Sequence, residues 1–74
     1  MEKLKFYGLV EGRFYHLETE TESVAGELLE KKFGKVYIKP FAKGKTPAEP
    51  VEIAFKETTV AREISREHAF ELSV

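Results

Sequence analysis

Residues 3–20, KLKFYGLVEGRFYHLETE, decide the predicted fold because they carry the clearest strand pattern in the chain. Apolar Leu4, Phe6 and Val10 lie among polar neighbours at a spacing close to two, which is typical of a half-buried strand. The Glu-Gly pair at 11–12 suits a two-residue hairpin turn, because Gly readily takes the positive φ that such turns need. We therefore predict a β-hairpin that turns at this pair.

Charged residues set the expected register of this hairpin. A two-residue turn places Lys5 opposite Glu18 and Lys3 opposite Glu20. Cross-strand pairs of opposite charge contribute about 0.2–1 kcal/mol each, and a slip of one residue would lose both pairs and turn the apolar set to the other face. The predicted core face then holds Leu4, Phe6, Gly8, Val10, Tyr15 and Leu17.

The opposite face of the predicted hairpin gives the first candidate site, an apolar cluster near the turn. Its members are Tyr7, Leu9, Phe14 and His16. A sheet face turned away from the core is usually polar in a monomer, whereas Tyr and Phe are enriched in protein interfaces. The cluster predicts a protein interface, with a second copy of the chain (a homodimer) or another protein as the partner. The alternative is that the C-terminal segment with Phe70 and Leu72 covers the cluster.

Residues 22–33 are predicted to form a helix that packs on this sheet. The apolar residues recur at helical spacing; they are Ala25, Leu28, Leu29 and Phe33. Gly34 follows where a left-handed C-terminal cap belongs. Gly26 costs about 1 kcal/mol relative to Ala inside a helix, and its small size is expected to allow close approach to the sheet.

The second half of the chain predicts further strands and leaves two alternatives open. Residues 35–39 alternate as a strand, and the Gly and Pro content of 42–50 predicts a loop. The extended stretch 51–64 either continues as one strand or turns back at 56–60. Residues 65–74 fit a short helix or a strand, and we favour the helix because Glu, Ala and Leu are good helix formers.

Together these elements predict a single α+β domain over residues 1–74. Its small antiparallel or mixed sheet has four to five strands with one helix packed on it. The order is β-β-α-β-β, with a short C-terminal helix.

Composition narrows the class of protein. The 74 residues carry a net charge of −1, and all thirteen acids are Glu, with no Asp, Asn, Gln, Cys or Trp. Abundant Glu and Lys without Asn, Gln or Cys is the trend in hyperthermophile proteins, although a short chain can show it by chance. Without Cys, and with two distant His residues, neither a metal nor a cofactor is expected. No apolar run is long enough to span a membrane and no signal segment is evident, so a cytoplasmic protein is expected.

Catalytic patterns are not evident in the sequence. A nucleophile needs a base beside it, and no Ser or Thr is spaced in a recognisable pattern with His16 or His68. The stretch Lys43 to Thr46 resembles the end of a phosphate-binding loop, but it lacks the upstream Gly and precedes Pro47. We therefore expect a protein that is not an enzyme.

Residues 31–45 form the second candidate site, because they carry six Lys and no acid. Nucleic-acid sites combine Lys with aromatic platforms, and the candidates here are Lys35, Tyr37, Lys39, Lys43 and Lys45. No Arg is present to read bases, and Lys on a strand edge also prevents edge-to-edge pairing. We rank nucleic-acid binding second to a small protein-interaction or assembly module that associates with itself.

Overall fold

A computed structural model of the chain describes residues 3–41 and 49–73, without the side chain of Ser73. The strands are β1 (Phe14–Glu18), β2 (Ser23–Lys32), β3 (Lys35–Lys39), β4 (Val51–Ala54) and β5 (Val60–Ile64). They form one antiparallel sheet in the order β4-β3-β2-β1-β5. Two 3-10 helices, η1 (Phe6–Gly8) and η2 (Phe55–Glu57), and one α-helix, α1 (Arg66–Ser73), accompany it. The predicted fold class is confirmed, but α1 follows the sheet instead of interrupting it.

The longest strand, β2, occupies the stretch for which the sequence predicts a helix. It pairs with β1 along one edge and with β3 along the other. A bulge at Leu29, between Leu28 and Glu30, interrupts the alternation. Leu28 is therefore fully buried while Leu29 is 41% exposed. The helix prediction is wrong because a bulged strand spaces its apolar residues like a helix, and pairing on both edges outweighs local helix preference.

Gly26 allows a close approach, but between strands rather than between a helix and a sheet. A Cβ atom built on Gly26 would lie 2.8 Å from the Cα atom of Pro40 and closer still to the carbonyl group of Lys39. Any side chain at this position would therefore force the end of β3 away from β2.

The predicted hairpin of residues 3–20 does not form. β1 is bordered by β2 and by β5, so neither of its edges is free to pair with residues 3–10. Leu4 instead donates a backbone hydrogen bond of 2.8 Å to Ala61 in β5. Lys3 Nζ donates to the carbonyl oxygen of Thr58 at 2.7 Å. The expected Lys3–Glu20 and Lys5–Glu18 pairs are therefore wrong, because a strand distant in sequence occupies the edge that they required.

The turn at residues 11–12 does form, although it does not join two paired strands. Arg13 donates its backbone amide to the carbonyl oxygen of Val10 at 3.2 Å, and Gly12 has a φ of 93°. Val10 in turn donates its amide to the hydroxyl of Tyr15 at 2.8 Å. The turn is thus held to the buried ring of Tyr15.

The core lies on one face of the sheet and includes the N-terminal segment and η2. Its buried members are Leu9, Tyr15, Leu17, Leu28, Val36, Ile38, Ile53, Phe55 and Ala61, with Leu4, Phe6, Val24 and Val51 packed against them. Of the predicted core face, Tyr15 and Leu17 are buried, whereas Val10 is 45% exposed and Gly8 is exposed. Leu9, which was placed on the outer face, takes the core position instead.

The C-terminal half resolves both open alternatives. Strand β3 forms as predicted, and η2 separates β4 from β5, so the chain turns between them. Residues 66–73 are helical, and Ser65 Oγ accepts a hydrogen bond of 3.1 Å from the amide of His68 at the start of α1. Most of the predicted loop, residues 42–48, lies outside the described residues. In the described part of the chain, no helix has the length and apolar character needed to cross a membrane.

Candidate functional site

The four residues of the predicted interface do not share one surface. Tyr7 lies in η1 and is 79% exposed, whereas Leu9 is 2% exposed and belongs to the core. Phe14 and His16 lie on the outer face of β1, opposite the core residues Tyr15 and Leu17. The four residues are separated because the hairpin register that placed them on one face of the sheet does not form. Whether any of the four contacts another chain stays a prediction.

Helix α1 packs on the outer face of β1 and β2. The alternative from the sequence, that the C-terminal segment covers the cluster, therefore holds for Phe14 and His16 but not for exposed Tyr7 or core Leu9. Its Ala69 is fully buried, and the ring of Phe70 lies 5.4 Å from that of Phe41 in an edge-to-face contact. Phe41 stacks in turn on Phe14, with 5.8 Å between ring centroids. This chain of three rings ties α1 to the sheet on the face that also carries His16, which is 7% exposed.

His16 is a buried histidine held by its neighbours on the sheet. Its Nε2 atom lies 3.0 Å from Ser23 Oγ and 3.2 Å from Glu18 Oε1, and its Nδ1 atom is buried without a hydrogen-bond partner among the described residues. Burial lowers the pKa of His16, Glu18 opposes this shift, and the charges of Arg62 and His68 add to it. Burial and the charges of Arg62 and His68 outweigh Glu18, so the pKa of His16 is lowered and the neutral imidazole is favoured.

Three of the predicted nucleic-acid residues lie on one face of β3, namely Lys35, Tyr37 and Lys39. Lys35 Nζ is 3.0 Å from Glu52 Oε1, and this contact raises the pKa of Lys35 and lowers that of Glu52. Lys43 and Lys45 lie outside the described residues. The described part of the predicted basic surface therefore carries a partly neutralised charge.

Phe33 occupies the tip of the β2–β3 turn, where the sequence placed it in a helix core. Lys32 pairs with Lys35 across the turn, and the two residues between them, Phe33 and Gly34, have φ values of 52° and 75°. Turns with two such residues strongly prefer Asn or Gly at the first position, and a left-handed conformation costs other residues about 1–2 kcal/mol. Phe33 is also 93% exposed. Backbone strain and an exposed aromatic ring thus coincide at one residue.

An apolar groove lies beside this turn and is called the Phe33 groove here. Its volume is about 420 Å³, and it is lined by Phe6, Phe33, Gly34, Lys35, Ala54, Phe55 and Lys56. Phe55 donates its backbone amide to the carbonyl oxygen of Gly34 at 2.9 Å. The rings of Phe6 and Phe55 meet edge to face with 5.6 Å between centroids. These contacts hold the walls of the groove in place.

Two lysines outside the lining lie against aromatic rings of the Phe33 groove. Lys31 Nζ donates to the carbonyl oxygen of Phe6 at 3.1 Å and lies 5.4 Å from the centre of the Phe6 ring. Lys3 Nζ lies 5.0 Å from the centre of the Phe55 ring. The groove therefore combines apolar walls with a basic rim, which suits recognition of an apolar group carried among negative charges.

The sequence contained a signal for this site that the helical spacing of its neighbours obscured. A Gly that follows an apolar stretch and directly precedes the strand-like Lys35–Lys39 can take the second position of a two-residue hairpin turn. The Phe-Gly pair at 33–34 fits this pattern. Phe33 was instead assigned to the helix face with Leu28 and Leu29.

Known proteins add no further guidance. Comparisons with family models, with curated proteins and with solved structures each give no significant match. Among the residues that the structure describes, no group of three or more His, Cys, Asp or Glu side chains is placed to hold a metal ion. The function of the chain is therefore inferred from the geometry of the Phe33 groove.

Proposed function

We propose that the chain is a small, non-enzymatic protein-interaction module that binds an apolar segment of a partner protein in the Phe33 groove. The observation that carries this proposal is Phe33 itself, 93% exposed in a left-handed conformation with a φ of 52°. Burying a Phe side chain contributes about 1.5–3 kcal/mol, and the free chain gains almost none of this at Phe33. A partner that covers the ring would gain it.

The rigidity of the groove supports the same proposal. The Phe55–Gly34 hydrogen bond anchors the turn to η2, and Phe55 is largely buried in the core. A preformed surface pays less entropy on binding than a flexible one. Strained residues also concentrate at ligand-binding positions, where the surrounding structure holds them in place.

Peptide display with two baits tests this proposal. A random peptide library is selected on the wild-type chain and on Phe33→Asn, which keeps a turn residue that favours positive φ but removes the ring. Tyr7→Asn is the matched control, because Tyr7 is an exposed aromatic residue outside the groove lining. We expect peptides enriched on wild type and on Tyr7→Asn but not on Phe33→Asn. No enrichment on wild type, or equal enrichment on all three, would contradict the proposal.

The homodimer expected from the sequence is a special case in which a second copy is the partner. Sedimentation velocity of wild type and Phe33→Asn over a concentration series examines it. A mass that rises with concentration only in wild type would assign the groove to a second copy. A constant monomer mass for both would exclude a second copy as the partner.

Nucleic-acid binding remains the second candidate function, because β3 places Lys35, Tyr37 and Lys39 on one face. The Lys35–Glu52 contact at 3.0 Å and the net charge of −1 weaken it. Titration with a single-stranded oligonucleotide over a salt series is the appropriate test. Phosphate-driven binding strengthens as salt is lowered, so an oligonucleotide that fails to bind at low salt would rule this function out.

A further inference from the structure

We infer that the segment bound in the Phe33 groove is acidic, with carboxylates on either side of an apolar anchor residue. This inference rests on the proposed function and names the class of partner. The residues that line the groove include Lys35 and Lys56 and no acid, although the chain has more acidic than basic residues, 13 against 12. The groove is thus a local basic site on a slightly acidic chain.

Two further ammonium groups lie fixed beside the groove. Lys31 Nζ is held by the carbonyl oxygen of Phe6 at 3.1 Å, and Lys3 Nζ by that of Thr58 at 2.7 Å. A carbonyl oxygen accepts a hydrogen bond without neutralising the charge, and each ammonium has three donors. Charges that are already positioned lose less side-chain entropy when an anion binds than freely moving lysines do.

The counter-charges near the groove leave its rim available to a partner. Glu52 faces Lys35, and the two side chains are each about half exposed, at 49% and 50%. Glu52 partly neutralises Lys35 toward any anion, so the basic character of the groove lining rests mainly on Lys56. Glu11 accepts a hydrogen bond of 3.3 Å from the backbone amide of Lys31 and forms no ion pair with its ammonium among the described contacts. Lys56 is exposed and has no ion pair among the described residues.

An acidic peptide fits these features better than a nucleic acid does. The floor of the groove is apolar, formed by Phe6, Ala54 and Phe55, which suits an aliphatic or aromatic side chain. The lining contains no Arg, the residue that binds phosphate and bases in bidentate fashion. Carboxylates that flank one apolar residue can pair with Lys56 in the lining and with the Lys3 and Lys31 ammonium groups that lie against its rings.

Three synthetic peptides test the charge preference by NMR titration of the ¹⁵N-labelled chain. The first is Glu-Glu-Leu-Phe-Glu-Glu with blocked ends, the second carries Gln in place of each Glu, and the third carries Lys. We expect shifts centred on Phe33, Gly34 and Lys56, with affinity about tenfold lower for the Gln peptide and no saturable binding for the Lys peptide. Added salt should weaken binding of the Glu peptide more than binding of the Gln peptide.

Charge reversal at the rim provides the matched test on the protein. Lys56→Glu should lower the affinity for the acidic peptide about tenfold and leave the affinity for the Gln peptide unchanged. Arg62→Glu is the control, because Arg62 is exposed on β5 and lies outside the groove lining, and this variant should bind as wild type does.

The possible results separate the inference from the proposed function. Binding that depends on Phe33 but is equal for the Glu and Gln peptides overturns the acidic preference and leaves the module intact. Binding of all peptides that is indifferent to Phe33→Asn overturns the proposed function itself. An oligonucleotide of thymidines that displaces the acidic peptide from the groove would show that the basic rim serves nucleic acid, and would also overturn the inference.

Discussion

The backbone amide of Phe55 donates a hydrogen bond of 2.9 Å to the carbonyl oxygen of Gly34. This contact joins the tip of the β2–β3 turn to η2, two elements that are far apart in sequence. It places exposed Phe33 beside the buried ring of Phe55 and so forms the Phe33 groove. The strain at Phe33 is thus maintained by a turn that is anchored on the core.

Phe33→Asn should stabilise the fold. Asn accepts positive φ more readily than Phe, and the exposed ring of Phe33 contributes little to the folded state. We expect an increase of about 1 kcal/mol in the free energy of unfolding, which corresponds to a rise of about 4–8 °C in Tm for a domain of this size. Phe33→Tyr is the control, because it keeps both the ring and the backbone strain and should leave Tm unchanged. A lower Tm for Phe33→Asn would contradict a positive φ at residue 33 in the β2–β3 turn.

Gly26→Ala should destabilise the fold, because the new Cβ atom would meet the backbone of Lys39 and Pro40. Overpacking of this kind costs about 1–3 kcal/mol, measurable by urea unfolding. Gly8→Ala is the matched control, since a Cβ atom there has no neighbour within 4 Å. If both variants were equally stable, β2 and β3 would not approach at Gly26.

Leu9 and Val10 should respond very differently to the same substitution. Leu9 is 2% exposed in the core and Val10 is 45% exposed. Leu9→Ala is expected to cost about 2–5 kcal/mol, whereas Val10→Ala should change stability by less than about 0.5 kcal/mol. Urea unfolding of both variants distinguishes this structure from the predicted hairpin, in which Val10 faces the core and Leu9 does not.

The buried His16 should make the fold less stable as pH falls below neutrality. Burial lowers the pKa of His16 in the folded chain below the value of about 6.5 in the unfolded chain, so the unfolded chain binds the extra proton first. The contribution of neutral His16 to the free energy of unfolding is fully present above a pH of about 6.5 and is lost as pH falls toward the lowered pKa. The urea midpoint of His16→Gln should decline less steeply than that of wild type over this pH window. An identical decline in both proteins would contradict the lowered pKa of His16.

Sequence patterns correctly predicted the elements that are decided by contacts within their own segment. Strand β3 alternates cleanly between Val36 and Ile38 in the core and Lys35, Tyr37 and Lys39 outside, and Ser65 caps α1 through a local contact. In both cases the deciding interactions lie within the segment itself. Local patterning was therefore sufficient there.

Long-range pairing decided the segments that the sequence did not predict. β1 pairs with β5, far along the chain, and this contact excludes residues 3–10 from the edge that a hairpin would use. In β2 the bulge at Leu29 disguised a strand as a helix. The candidate site was missed for the same reason, because Phe33 is exposed only if β2 is a strand that ends in a tight turn.

The affinity of a display-selected peptide for wild type and for Phe33→Asn, measured by calorimetry, tests the central claim most directly. We expect Phe33→Asn to bind at least about thirtyfold more weakly, the loss typical of a central anchor residue, while its Tm is higher than that of wild type. Equal affinity of the two proteins for the peptide would contradict the assignment of the Phe33 groove as a binding site.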